Sequence, residues 1–114
     1  LSSCSDIKEI IIIDKTLSNK HSDSIHVSKS DFKEFCNLYS NLSPIKTPLR
    51  LRSSLGFYEL QIFGSDNKQF ELHVILTVYD GVVIMHNLKY YKQDGFVNYV
   101  RQVISTSKSN ASDR

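Results

Sequence analysis

The sequence has little of what helical bundles and phosphate-binding loops require. Its 114 residues include no tryptophan, one methionine, two prolines and a single alanine, Ala111. So little alanine beside many isoleucines, valines, phenylalanines and tyrosines favours strands over a helix bundle. The glycines stand singly, so the sequence gives no indication of a glycine-rich nucleotide-binding loop. They are Gly56, Gly64, Gly81 and Gly95.

A strong charge of one sign and a long apolar run are also missing. The formal net charge is +2, which is too small to indicate a polyanionic partner. The apolar run Ile10–Ile13 is far shorter than the roughly 18–20 residues that span a bilayer. With 40% hydrophobic and 23% charged residues, the composition is that of a globular protein. The length corresponds to one domain.

Two cysteines, Cys4 and Cys36, allow at most one disulfide. The first four residues, Leu1-Ser2-Ser3-Cys4, have the form of the end of a bacterial lipoprotein signal, in which an apolar and two small residues precede the acylated cysteine. This pattern predicts lipidation of Cys4, with residues 1–6 as lipobox and tether. Two alternatives stay open: Cys4 is an ordinary thiol, or it pairs with Cys36.

Two helices are predicted. The first spans about 29–42, because Ser28 and Asp31 have the spacing of a capping box and apolar residues follow at helical intervals. Its apolar stripe comprises Phe32, Phe35, Cys36, Tyr39 and Leu42. The second helix is expected to be capped by Asp94, to begin after it and to bury Phe96, Val100, Val103 and Ile104. Residues 105–114 are polar and are expected to form a flexible tail.

Period-two alternation in the middle of the chain predicts two strands that each bury one face. Apolar residues alternate with polar ones over 58–62 and again over 70–78, and the polar stretch 64–68 supplies the turn between them. Matching the apolar rows pairs Tyr58 with Val74 and therefore Glu59 with His73.

Asp80-Gly81 predicts a two-residue hairpin turn, because both residues tolerate positive φ. That turn would pair Ile75 with His86 and so place His73 and His86 on the same face of the sheet. Further strands are indicated by Ile10–Ile13 and by the apolar residues 82–85. Residues 25–27 are either a short strand or the lead-in to the first helix. Together these patterns predict a single α+β domain over 7–104, with an antiparallel β-sheet of about four to five strands and two helices packed on one face.

The sequence contains no Gly-x-Ser-x-Gly elbow and no His-x-x-x-His pair. Cys36 lies among aromatic residues of its helix, so we expect a buried thiol and not a nucleophile. In the predicted register Glu59, His73 and His86 approach one another, which leaves a hydrolytic or metal-dependent site as an alternative. The simpler interpretation is a cross-strand carboxylate–imidazole contact, with no catalytic residue, metal or cofactor.

Basic and aromatic residues mark a candidate binding surface. Basic side chains follow Pro44, where alternation places two arginines on one face, and tyrosines follow later in the chain. Such residues together are typical of nucleic-acid surfaces, but the small net charge argues against that partner. A protein or peptide partner is favoured. The predicted partner-binding residues are Arg50, Arg52, Tyr79, Tyr90 and Tyr91.

From Asp31 onward, a capped helix, a proline-broken segment, two strands, Asp80-Gly81, Tyr90-Tyr91 and a closing helix follow in order. This layout, over residues 28–104, resembles the small, mostly uncharacterised lipoproteins of bacterial envelopes. The resemblance implies a lipid-anchored binding or accessory domain, and some such lipoproteins are immunity proteins or lysozyme inhibitors. We therefore predict a non-enzymatic envelope domain that binds a protein or peptide. The alternatives are a small hydrolase or metal-dependent enzyme and a cytosolic α+β regulator.

Overall fold

The computed structural model describes residues 6–19, 23–46, 54–65 and 68–112, with side chains described as far as residue 107. A 3-10 turn at Lys29–Asp31 leads into helix α1, Phe32–Ser40, and helix α2 spans Gly95–Ser112. The strands are β1 (Ile7–Thr16), β2 (Ser24–His26), β3 (Ser43–Ile45), β4 (Ser54–Gly64), β5 (Gln69–Thr77), β6 (Val82–His86) and β7 (Lys89–Lys92).

The described strands form one antiparallel sheet in the order β2-β1-β4-β5-β6-β7-β3. The predicted α+β class, with an antiparallel sheet and two helices, is confirmed. The predicted number of strands is wrong, because the sheet has seven and not four to five. Strands β3 and β7, which were not predicted, have three and four residues, which is too short for a period-two pattern to reveal.

One face of the sheet carries the hydrophobic core. Cross-strand pairing joins Leu60 to Leu72 and Val74 to Ile84, and these side chains are fully buried. The helices close this face, since Phe35 of α1 and Phe96 of α2 are also fully buried and their rings meet edge to face at 5.8 Å. The opposite side of the sheet, called the second face below, carries the residues that alternate with the core positions.

The β4–β5 register is confirmed, with Tyr58 opposite Val74 and Glu59 opposite His73. The predicted β5–β6 register is wrong, because Ile75 lies opposite Val83 and not opposite His86. A loop of four residues, 78–81, joins these strands. Thr77 stabilises it, since its hydroxyl donates to the Gly81 carbonyl and accepts from the Asp80 N–H, both at 2.8 Å.

The helix ends also differ from the prediction. The side chain of Ser28 makes no capping hydrogen bond, so the expected capping box is not formed. At the start of α2 the Gly95 N–H donates to Gln93 Oε1 at 3.2 Å, which gives the capping role to Gln93 and not to Asp94. Helix α2 then continues through the polar stretch as far as Ser112. In the part of the chain that the structure describes, neither helix is long and apolar enough to cross a membrane.

Candidate functional site

A row of side chains crosses the second face of the sheet. Glu59 of β4 lies opposite His73 of β5, which lies opposite Met85 of β6 and then Tyr90 of β7. The row ends at the edge strand, where Ile45 pairs with Tyr90. Because facing residues of antiparallel strands are about 5 Å apart, each side chain of this row lies beside its cross-strand neighbour.

Glu59 is the most buried charged group of the row, with 10% of its side chain exposed. Lys15 Nζ lies 3.2 Å from its Oε1, and the Gln61 side-chain amide donates to its Oε2 at 2.8 Å. Burial alone would raise the pKa of the Glu59 carboxyl. Hydrogen bonds from Gln61 and Lys15, together with the positive charges of Lys15 and His73, outweigh burial and lower that pKa below its ordinary value.

His73 faces two carboxylates. Its Nε2 is 3.6 Å from Glu59 Oε1 and 3.8 Å from Glu71 Oε2, and its ring stacks on Phe57 with centroids 4.6 Å apart. Glu71 precedes His73 by two positions on β5, so its side chain lies on the same face. One ligand atom from each of Glu59, Glu71 and His73 lies within 4.8 Å of the others. We call these three residues the histidine cluster.

His86 does not belong to this cluster. The predicted trio of Glu59, His73 and His86 is wrong in its third member, because the actual register turns His86 to the core face. Its Nδ1 lies 3.3 Å from the Glu71 carbonyl, which can only accept, and its Nε2 lies 3.0 Å from the Tyr39 hydroxyl. A neutral imidazole that donates from Nδ1 and accepts at Nε2 satisfies both contacts. His86 is therefore a buried, hydrogen-bonded core residue.

Two of the three predicted tyrosines line one open cavity of about 530 Å³ beside strands β3 and β7. Tyr90 and Tyr91 are half-buried, and Leu88 at the rim has 89% of its surface exposed. Two lysines, Lys46 and Lys89, add positive charge. We call this cavity the tyrosine groove. Its lining comprises Pro44, Ile45, Lys46, Leu88, Lys89, Tyr90 and Tyr91.

Tyr79 lies elsewhere. It belongs to the β5–β6 loop, at the opposite end of β6 from the β6–β7 turn, and 64% of its surface is exposed. Leu17, Leu55 and Val78 are also exposed, and strand pairing brings them to the same end of the sheet. We call Leu17, Leu55, Val78 and Tyr79 the apolar end. The structure thus separates Tyr79 from Tyr90 and Tyr91.

The remaining predicted residues concern the two cysteines and the basic segment. The expected buried thiol at Cys36 is wrong, because this residue of α1 is disulfide-bonded and packs only partly buried against the core. Cys4, predicted to carry a lipid, and the predicted contacts Arg50 and Arg52 lie outside the described residues.

Sequence patterns missed two residues that shape these sites. Glu71 shares the strand face of His73, so strand alternation is the signal that could have found it. Leu88 adopts positive φ (65°) after Asn87 (52°) in the tight β6–β7 turn. Leucine rarely takes this conformation, so no local sequence signal marked it.

No protein-family model matches the sequence, and comparisons with curated proteins and with solved structures give no significant match either.

Proposed function

We propose that this chain is a non-enzymatic domain of a bacterial cell envelope that binds a protein or peptide partner. The tyrosine groove is the observation that carries the proposal. It combines two half-buried tyrosines, an isoleucine, a proline and an exposed leucine in one open cavity. Aromatic anchors in pockets supply most of the binding energy of protein interfaces.

The charge around the groove supports a particular kind of partner. Lys46 and Lys89 are exposed at its rim, while Tyr90, Ile45 and Leu88 offer apolar contact. A segment that presents an apolar side chain next to a carboxylate complements both features. An acidic toxin or enzyme surface has this chemistry, as expected for an immunity or inhibitor-like role.

The exposed Leu88 supports the same interpretation. Its positive φ is a costly conformation for leucine, of the order of 1–2 kcal/mol, and its side chain borders the groove. Backbone strain of this kind occurs preferentially at functional sites. The strained turn therefore keeps an apolar side chain exposed beside the tyrosines.

The disulfide at Cys36 supports a location outside the reducing cytosol, because disulfides persist in oxidising compartments. It weighs against the alternative of a cytosolic regulator. Membrane attachment through an acylated Cys4 stays a prediction, and it competes with disulfide formation for the same sulfur atom.

Affinity capture with three matched baits tests the proposal. The wild-type chain, Tyr90→Ala and Tyr79→Ala are immobilised and exposed to an envelope extract of the organism, and the bound proteins are quantified by mass spectrometry. We expect a protein that wild type and Tyr79→Ala retain, and that Tyr90→Ala loses by about tenfold or more, since a hot-spot tyrosine contributes about 2 kcal/mol.

Two results would count against the groove. If Tyr90→Ala captures every protein as well as wild type does, the tyrosine groove is not the binding surface. If Tyr79→Ala alone loses the partner, the apolar end takes that role. Matched thermal unfolding curves for the three baits confirm that both variants are folded.

A further inference from the structure

We propose that the histidine cluster, formed by Glu59, Glu71 and His73, binds a divalent transition-metal ion of the zinc type. The proposal goes beyond peptide binding and does not depend on it, because the cluster lies on β4 and β5 and the groove on β3 and β7. Its basis is the geometry of three ligand atoms from two adjacent strands.

The spacing of His73 Nε2 from the two carboxylates suits a metal ion better than direct hydrogen bonds. Ligand atoms about 2.0–2.2 Å from a tetrahedral zinc ion lie about 3.3–3.6 Å from one another. His73 Nε2 is 3.6 Å from Glu59 Oε1 and 3.8 Å from Glu71 Oε2. Both distances exceed those of a good hydrogen bond, yet they are within a few tenths of an ångström of a zinc coordination edge.

The surrounding residues hold two of the three ligands in place. Phe57 stacks on the His73 ring, and Gln61 holds the second oxygen of the largely buried Glu59 carboxylate. Outer contacts of this kind orient ligands in metal sites. Glu71 has 48% of its side chain exposed, so it is the ligand with freedom to close on the ion.

The charge of the site suits a dication. Two carboxylates contribute two negative charges and Lys15 contributes one positive charge, which leaves an excess of one negative charge to attract a dication. Lys15 competes with the metal for Glu59 Oε1. Its side chain is 41% exposed, so it can move into solvent when the ion binds.

Space for further ligands adjoins the cluster. Glu71 and His73 line an open cavity of about 470 Å³, together with Met85 and Asn87. Water or a polar group in this cavity completes a coordination sphere that the protein fills with three atoms. Imidazole with carboxylates favours zinc and similar transition metals, whereas Ca²⁺ and Mg²⁺ prefer oxygen ligands alone.

Calorimetric titration of the chelator-treated full chain with ZnCl₂ tests the proposal. We expect one zinc ion per chain, and no comparable binding of Ca²⁺ or Mg²⁺. Loss of an outer-shell partner alone weakens metal affinity about 10–100-fold. Glu71→Gln and His73→Gln should therefore each weaken zinc binding by at least about tenfold. Lys15→Gln should tighten it, because it removes the competing cation.

His26→Gln is the matched control. His26 Nδ1 lies 3.3 Å from Glu9 Oε2. This pair combines an imidazole with a carboxylate, as the histidine cluster does, but it has one carboxylate where the cluster has two. We expect zinc binding to His26→Gln to equal that of wild type. The proposal is overturned if wild type takes up no stoichiometric zinc, or if Glu71→Gln, which changes an exposed side chain and preserves the fold, binds zinc like wild type. It is also overturned if His26→Gln weakens binding as much as His73→Gln does.

Discussion

At the scale of single residues, Glu59 links stability to pH. Its carboxyl pKa is lower in the folded chain, so its charged form stabilises the fold above the unfolded glutamate value of about 4.3. That stabilisation is lost as the pH falls through the folded pKa. At pH 7 we expect Glu59→Gln to lower the free energy of unfolding by about 1 kcal/mol, because a charged hydrogen-bond acceptor is lost.

Urea denaturation at pH 7 and at pH 3 measures this effect. The difference between wild type and Glu59→Gln should be smaller at pH 3, because the stabilisation by the charged carboxyl declines once the pH falls below the unfolded glutamate value. Glu71→Gln is the control, because its side chain is half exposed and its removal should change stability by less than about 0.5 kcal/mol. A difference for Glu59→Gln that is as large at pH 3 as at pH 7 would contradict the role of the charge.

The sequence predicted individual residue contacts correctly where apolar–polar alternation along the strands alone determines the cross-strand neighbours. Glu59 and His73 were predicted to face each other because the apolar rows of β4 and β5 have one register that buries both. His86 was misplaced because its position depended on the geometry of a loop. A hydroxyl from Thr77 closes that loop over four residues, and Asp80-Gly81 gave no sign of the longer form.

At the scale of elements, the start of β4 depends on Gly56. The strand register shifts between Ser54 and Phe57, and Gly56 has φ +98° there. A Cβ at this position would lie 2.5 Å from Thr16 Cα and 2.6 Å from the Lys15 carbonyl oxygen. Since both are backbone atoms of β1, no side chain can move aside. We expect Gly56→Ala to destabilise the fold by about 2–4 kcal/mol, from backbone strain and overpacking together.

Gly81→Ala separates these two causes. Gly81 also has positive φ (+70°), but the nearest atom to an added Cβ is the flexible Lys92 Nζ at 3.5 Å. This variant should lose about 1 kcal/mol, from strain alone. Urea midpoints of the two variants give the comparison. If Gly56→Ala cost no more than Gly81→Ala, the close approach of β4 to β1 would not be the reason for glycine at that position.

The longer elements were predictable because each shows many periods of its pattern. The long strands β4 and β5 and the apolar stripe of α2 fall close to their predicted positions. The short strands β2, β3 and β7 have three or four residues, and their pairing depends on neighbours distant in sequence. Tertiary contact decides such strands, and local propensity does not.

At the scale of the whole molecule, the sheet is one layer with its core on one side. The helices close that side through contacts far apart in sequence: the Tyr99 hydroxyl of α2 donates to the Asp31 carbonyl at 2.8 Å. The row from Glu59 to Tyr90 lies on the other side, so the histidine cluster is on the face that the helices leave uncovered, whereas the tyrosine groove lies at the β3–β7 edge, where Tyr91 packs against the core. Function can therefore vary on the second face with little effect on the core.

The cellular location proposed for the protein depends on the chemical state of its cysteines. Cys36 is disulfide-bonded, and the sequence holds one other cysteine, Cys4. A sulfur atom in a disulfide cannot also carry a thioether-linked lipid, so the two fates of Cys4 are mutually exclusive. We expect Cys36 to be oxidised in the protein isolated from its own organism. If its partner is Cys4, the protein is two hydrogen atoms lighter than the reduced chain, and the lipidation predicted for Cys4 is wrong.

Alkylation of the denatured protein before and after reduction distinguishes the three possible states. A disulfide gives no labelled cysteine before reduction and two after it, which is the expected result. One labelled cysteine, Cys36, with an acyl mass on Cys4 would instead establish the lipoprotein. Two labelled cysteines before reduction would favour the cytosolic regulator, because thiols stay reduced in that compartment. Either of the last two results would contradict a disulfide in the native protein. Neither result bears on the tyrosine groove or the histidine cluster, which are tested separately.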